Sequence, residues 1–188
     1  MDWILNRCTE SMGVTVSSTH FTDQTYGDDG VLFTDCPSKW PEILITFDAA
    51  AETMGLHTSR QKTKIQNTGH GTPPSSVYMQ ASGQTVKALD QFLYLGSAIN
   101  SDCRSTHEIH RRIGIASGVM GRLSNVWQQS RLSLATKFRV YNLLLLSVFL
   151  YGYETWTILK SDERKLEAFH VMPATHLWNP LVPSRNQC

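Results

Sequence analysis

Apolar and polar positions along this chain follow two periods, and the switches between them mark its elements. Trp40, Ile43, Leu44, Phe47, Ala50, Ala51 and Met54 recur at steps of three and four, which draws one apolar stripe along a helix that Gly55 ends. Ser38 is the expected N-cap, and it puts Pro41 at the third helical position, where a missing N–H costs nothing. A second helical pattern opens at Ser105-Thr106-His107-Glu108, which has the spacing of a capping box. Ile109, Ile113, Ala116, Met120, Leu123 and Trp127 then step by 4, 3, 4, 3, 4. That narrow seam suits packing on a neighbouring helix, with Arg111, Arg112 and Arg122 off it, and Leu123 is either enclosed there or open to a partner protein. A third run from about Ser133 carries Leu134, Phe138, Tyr141, Leu144, Leu145, Val148 and Phe149 and is apolar almost all round in its second half, as a core helix is. The short connection between these two runs favours antiparallel packing.

Elsewhere the patterns are shorter. Residues 2 to 12 read as a short amphipathic helix with Trp3, Ile4 and Cys8 at helical spacing, ended by Gly13. Val14 to Thr25 is rich in Thr and Val and leads into a β-hairpin whose turn carries acids, Tyr26-Gly27-Asp28-Asp29-Gly30. Lys62 and Lys64 alternate with Thr63 and Ile65, so on a strand both lysines face one side. Residues 67 to 76 are a loop by composition. Val77–Met79 and Gln84–Val86 pair as a small hairpin around Ser82-Gly83, and Phe92-Leu93-Tyr94-Leu95-Gly96-Ser97 is a strand ending in a turn. The tail holds Pro173, Pro180 and Pro183, which exclude a continuing helix.

Composition adds a polarity. The 188 residues are 41% hydrophobic and 18% charged, a globular balance poor in charge. The net charge of +1 hides an asymmetry: residues 1 to 60 carry nine acids against three basic residues, whereas residues 104 to 139 carry seven basic residues and one acid. Such a chain could hold metal at one end and phosphate at the other. Cys8, Cys36, Cys103 and Cys188 form no Cys-x-x-Cys motif and are expected as thiols in a reducing compartment. The N-terminus has an acid where the basic region of a signal peptide belongs, and the uncharged run 140 to 153 has the length of a core helix, not of a membrane span. These features point to a soluble intracellular protein, cytoplasmic or nuclear and not secreted, with no membrane partner.

Asp28 and Asp29 are the candidate chemistry. Adjacent carboxylates with no basic neighbour in sequence repel, and a cation joining them removes the repulsion. Hard oxygen ligands suit Mg²⁺ or Mn²⁺. Gly-Asp-Asp-Gly is equally ordinary turn chemistry, because Asp bonds its own backbone and Gly accepts positive φ. His107 and His110 lack the His-Glu-x-x-His spacing of a zinc site.

Tyr26-Gly27-Asp28-Asp29 followed by Val31-Leu32-Phe33 resembles motif C of the reverse transcriptase palm, with Gly27 where the family usually has Ala. Gly55-Leu56-His57 and then Lys62-Thr63-Lys64 resemble motif D, and Phe92-Leu93-Tyr94-Leu95-Gly96 resembles the sequence at the primer grip. Arg111-Arg112-Ile113, Leu134 to Tyr141 and Leu150-Tyr151-Gly152-Tyr153-Glu154-Thr155-Trp156 are similar to the block that builds the thumb. Together, from Met1 to about His170, they resemble the reverse transcriptase of a non-LTR retrotransposon of the LINE type, in which Met1 corresponds to an internal methionine.

The resemblance implies an α+β fold. Residues 1–103 are a partial palm with a β-hairpin, a few strands and a helix, 104–170 are a mainly helical thumb-like segment, and 171–188 are an unrelated irregular tail. It implies RNA-directed DNA polymerase chemistry with Asp28 and Asp29 as catalytic metal ligands, and with Tyr26, Gly27, Lys62, Lys64, Tyr94, Leu95 and Gly96 near nucleotide and primer. Arg111, Arg112, Arg122, Arg131, Lys137 and Arg139 would contact the backbone of an RNA template with its DNA primer. The sequence has no match to motif A or motif B, so Mg²⁺ or Mn²⁺ is expected to bind weakly if at all, and the chain alone is expected to be inactive. An incomplete palm sheet leaves an open edge through which the chain could self-associate. The alternative is a non-catalytic helical module that packs its seam on another protein.

Overall fold

In the computed structural model, which describes residues 2–8, 12–59, 61–69, 77–79 and 84–178, helices and small sheets are mixed. The chain divides after Asp90. The sequence reading puts its palm–thumb boundary at residue 103, and the strands around Tyr94 and Ser97 fall in the same compact unit as the helices that follow.

In the first unit the apolar stripe folds as expected and organises its surroundings. A single 3₁₀ turn, Pro37–Lys39, leads into helix α2, Trp40–Thr53. Ser38 lies inside that turn and is not the cap, because Pro37 already supplies a φ suited to helical entry. Gly55, at φ +71°, ends the helix as predicted. Ile43, with Trp40 and Phe47, packs on Cys8, Met12 and Leu32, while Ala50 and Ala51 meet Ile4 and Leu44 meets Ile65 and Val86. The first helix, α1, is shorter than its periodicity suggested and spans Asp2–Asn6. It buries Ile4 and Leu5 and leaves Trp3 exposed beneath the Arg7 guanidinium, 4.7 Å from the ring centre.

The strands form small separate sheets. Strands β1 (Val14–Val16) and β2 (Thr19–Phe21) pair antiparallel, as do β3 (Asp23–Tyr26) and β4 (Asp29–Leu32). Strand β7 (Gln84–Ala88) lies between β6 (Val77–Met79), antiparallel, and the two-residue β5 (Lys64–Ile65), parallel. The expected pairing of 77–79 with 84–86 is present, and the Ser82-Gly83 turn and residues 70–76 lie outside the described residues.

Gly13 starts the first hairpin at φ +127° and donates its N–H to the Phe33 carbonyl at 2.8 Å. A Cβ there would sit 2.1 Å from Nε2 of His20. The imidazole could swing aside, but the backbone angle would stay unfavourable to any side chain. Gly13→Ala is therefore expected to destabilise the first unit by more than about 1 kcal/mol. Chemical denaturation of the two proteins checks this, and equal midpoints would contradict it.

In the second unit, β8 (Gln91–Tyr94) and β9 (Ser97–Asn100) form a hairpin followed by helix α3, Thr106–Arg122. Helix α4, Ser124–Gln128, starts after a break at Leu123, so the predicted single helix to Trp127 is two. The third run is one helical rod: α5 (Leu134–Val140), a π-helical stretch (Tyr141–Leu146) and α6 (Ser147–Phe149), capped by Ser133, whose Oγ accepts from the Thr136 N–H. Arg112, early in α3, reaches the Val148 carbonyl late in the rod, and Lys137 near its start reaches the Trp127 carbonyl, so the two run antiparallel as expected.

Ala116, Trp127, Tyr141, Leu145, Phe149 and Phe169 form the core, with Ile113, Met120 and Leu123 packed against it. Phe169 comes from helix α7, Lys160–Trp178, and its ring lies 4.7 Å from that of Phe149. Helix α7 passes through Pro173, so the start of the expected irregular tail is helical. Proline there forfeits one intrahelical bond without ending the helix. Among the described residues no helix is long and apolar enough to cross a membrane.

The capping box does not form. Ser105 makes no side-chain cap. Its Oγ instead accepts from the Thr157 N–H at 2.8 Å, which ties the start of α3 to the segment before α7. Asp162 strengthens that tie by accepting from Thr106 Oγ1 at 2.8 Å. Burial alone pushes the Asp162 carboxyl up, but the hydrogen bonds from Thr106 and Lys165 outweigh it and leave the group below its ordinary value.

Candidate functional site

The acidic turn sits where the sequence put it. Tyr26 faces Asp29 across the β3–β4 hairpin, and Gly27 and Asp28 make the two-residue turn. Gly27 has φ +63°, the positive angle a tight hairpin turn requires at that position. Asp28 and Asp29 are both exposed at the tip, as is Tyr26. Asp23, the nearest further acid in the hairpin, lies at its opposite end across from Leu32 and accepts from Thr22 Oγ1 at 2.8 Å. Among the described residues no three His, Cys, Asp or Glu side chains group as metal ligands. A two-metal centre needs several fixed oxygens around each ion, and of those the hairpin tip itself presents the two solvent-facing carboxylates of Asp28 and Asp29.

The lysines separate. Lys62 is in a turn ahead of the strand, and only Lys64 is on β5, where its Nζ donates to the Gln61 carbonyl at 2.5 Å. The two therefore do not share a strand face, because the strand is two residues long. Beside them, at the end of α2, an open depression of about 290 Å³ is lined by Asp48, Glu52, His57, Thr58 and Gln61 among others, a feature the sequence did not signal.

The second unit departs most from expectation. Of the six cations assigned to nucleic-acid backbone, Arg112 and Lys137 are buried and Arg111 is half-buried. Lys137 donates from Nζ to the Trp127 carbonyl at 2.6 Å, which satisfies an end group of α4. Arg112 donates from Nε to Glu108 at 2.6 Å and from its terminal nitrogens to the Gly96 and Val148 carbonyls, and its guanidinium lies 4.4 Å from the ring centre of Tyr151. Arg111 donates to Glu108 at 2.7 and 2.9 Å and to the Gly96 carbonyl at 2.5 Å. All three of these expected phosphate contacts have internal partners in the folded unit. Arg122, Arg131 and Arg139 are exposed.

Glu108 is the centre of this network. It also accepts from the Ala98 N–H at 2.9 Å, and Tyr151 donates its hydroxyl to the Leu95 carbonyl at 2.7 Å. Burial raises the Glu108 carboxyl, but hydrogen bonds from Arg111, Arg112 and Ala98 outweigh it and hold the group below its ordinary value. Leu95, Gly96, Arg111 and Arg112 are thus brought together by two residues, Glu108 and Tyr151, that sequence reasoning gave no site role. The available signal was spacing: Glu108 and Arg112 are four apart with the acid first, the favourable order on a helix. Tyr94, the remaining residue of that group, has a buried hydroxyl with no hydrogen-bond partner.

No family model matches the chain, and no solved structure matches it. Over 157 residues it is 26% identical to a putative uncharacterized transposon-derived protein of Caenorhabditis elegans. The match covers 82% of this chain and 56% of that relative, so the chain spans little more than half the relative's length.

Proposed function

We propose that this chain is a piece of a transposon-encoded reverse transcriptase of the non-LTR type, extending from the palm hairpin into the thumb, and that by itself it holds nucleic acid without extending a primer. A transposon origin is supported by the transposon-derived relative, whose match covers 82% of the chain. The observation that carries the finer reading is the Tyr26–Asp29 turn, which presents two adjacent carboxylates at the tip of a two-stranded hairpin. Among the described residues no further donor groups with those carboxylates to fix metal ions for in-line attack, and geometry delivers most of the rate in such a reaction. A nucleic-acid partner implies an intracellular site of action.

With Mg²⁺ or Mn²⁺, a primed RNA template and nucleotides, the chain is expected to give no extension above an Asp28→Ala control. Extension that this substitution abolishes would overturn the inactive-piece reading. Binding rests on Arg122, Arg131 and Arg139. An RNA template annealed to a DNA primer is expected to bind weakly, with affinity falling as salt rises. Replacing these three arginines together by alanine is expected to flatten the salt dependence and leave the helix content unchanged. A salt slope that survives the triple replacement rejects the surface.

A second reading is favoured by one observation. Leu143 is 72% exposed on the rod, and Leu134, Phe138 and Leu144 are exposed with it. Such residues suit a protein-interaction module. That reading requires tight self-association or a protein partner where the first requires duplex binding.

A further inference from the structure

Two exposed helical faces of opposite charge stand in the two units. On α2, Glu42, Ile45, Ala49 and Glu52 step by three, four and three residues and are all exposed, so they form one outward stripe. The helix carries Glu42, Asp48 and Glu52 and no basic residue. Ile45 is 44% exposed within the stripe, and Met54 and Leu56 are exposed beyond its end. This is an acidic amphipathic face turned to solvent, because the other side of the helix already buries Ile43, Leu44, Ala50 and Ala51.

The rod presents the reverse. Arg139 and Leu143 lie four apart on its exposed side, and Ser147 donates from Oγ back to the Leu143 carbonyl at 2.7 Å in the next turn. Phe138 and Leu143 are both exposed, and so is Arg131 just ahead of the rod. No Asp or Glu occurs between Glu108 and Glu154, so that stretch of sequence offers these arginines no carboxylate. An apolar patch open to water suits a partner, and the charge around it selects which one. Duplex phosphates engage the arginines but give Leu143 no apolar surface. A rod paired with itself brings Arg139 toward like charge. The α2 stripe supplies both missing parts, carboxylates at its two ends and an aliphatic side chain between them.

We propose that the α2 stripe of one chain docks on the rod of a second copy, with Ile45 packing on Leu143 and Phe138 and with Glu42 and Glu52 facing Arg131 and Arg139. Two different surfaces meet, so the contact is heterologous and chains add one after another as concentration rises. Opposite charges set the register, and the apolar pair excludes water between them. The inference goes beyond the proposed function and is independent of it, because duplex binding uses the arginines and asks nothing of Ile45 or Leu143.

The experiment follows the full chain by sedimentation velocity over a range of concentrations, at low and at high sodium chloride. The average mass is expected to rise with concentration at low salt and to fall back toward the monomer as salt screens the charges. Ile45→Ser and Leu143→Ser each change an exposed side chain, and each is expected to keep its helix content by circular dichroism while weakening association about tenfold. Mixing the two variants is the decisive measurement. One intact stripe then meets one intact rod, so the mixture is expected to recover the wild-type affinity and to stop at two chains. A wild-type chain that stays monomeric at every concentration overturns the inference, whether or not its rod then binds vesicles of phosphatidylserine. Association that survives both substitutions overturns it as well and points to an open sheet edge. If Leu143→Ser disperses the chains and Ile45→Ser does not, the rod pairs with itself and the inference is overturned. A mixture that fails to recover rejects the pairing of these two faces.

Discussion

Replacing Glu108 by alanine is expected to destabilise the second unit by about 3–5 kcal/mol, enough to unfold a small unit of ordinary stability. Glu108 is 2% and Arg112 6% exposed, so the substitution strands a guanidinium away from water. It also leaves the Ala98 N–H without its acceptor. Breaking a buried pair costs more than the pair contributed, because the surviving charge keeps its desolvation penalty. Urea titrations followed by helical circular dichroism measure the effect, and a loss under about 1 kcal/mol would contradict the account.

The same carboxylate makes stability depend on pH, with a definite sign. Its folded-state value is lowered from the ordinary 4.5. The unfolded state then binds the proton more readily than the folded state in that range, so stability rises with pH there. The contribution is complete above the ordinary value and is lost as pH falls through the lower folded value. Glu108→Gln removes the titration, so the stability gap between wild type and this variant should shrink below pH 4.5 and stay constant above it.

How far the sequence reaches depends on what kind of force fixes each element. The α2 stripe and the Ile109–Trp127 seam were legible because burial repeats with the helix period, and Ile43, Ile109 and Ala116 are all buried as that period requires. The hairpin turns at Gly27 and Gly96 were legible because positive φ selects glycine. Arg112 was not legible. It lies four residues after Glu108 and four before Ala116, so it stands on a buried row that meets the seam at Ala116, but a charged side chain reads as solvent-facing until its partner is known. Ser105 failed for a related reason: a backbone N–H 52 residues away claims the hydroxyl that local rules assign to the cap.

The rod exposes a different limit. A π-helical stretch turns less per residue than an α-helix, so Tyr141, Leu145 and Phe149, each four apart, keep to one buried line. The α-helical period had spread the core over Leu144 and Val148 as well, and Leu144 is exposed. At the acidic turn the sequence supplied the residues and the hairpin, and both are present. The metal chemistry depends on donors from elsewhere in space, which a local motif does not contain.

The support of the helical unit rests on Leu145 more than on Leu123. Leu123 sits at the break between α3 and α4 and is only partly buried, whereas Leu145 is 0% exposed within a core shared with Ala116, Trp127, Tyr141, Phe149 and Phe169. Leu145→Ala is expected to cost about 2–5 kcal/mol, with the upper part of that range applying if the rod cannot close on the cavity. The loss should not vary with protein concentration, because the contacts are made within one chain. Leu143, on the exposed side of the same π-helical stretch, supplies the contrast. Leu143→Ser is expected to change stability by less than about 0.5 kcal/mol. Melts of both variants at several concentrations separate internal support from association: a small effect of Leu145→Ala together with a concentration-dependent effect of Leu143→Ser would mean that the helical unit is stabilised by a second chain and not by its own core.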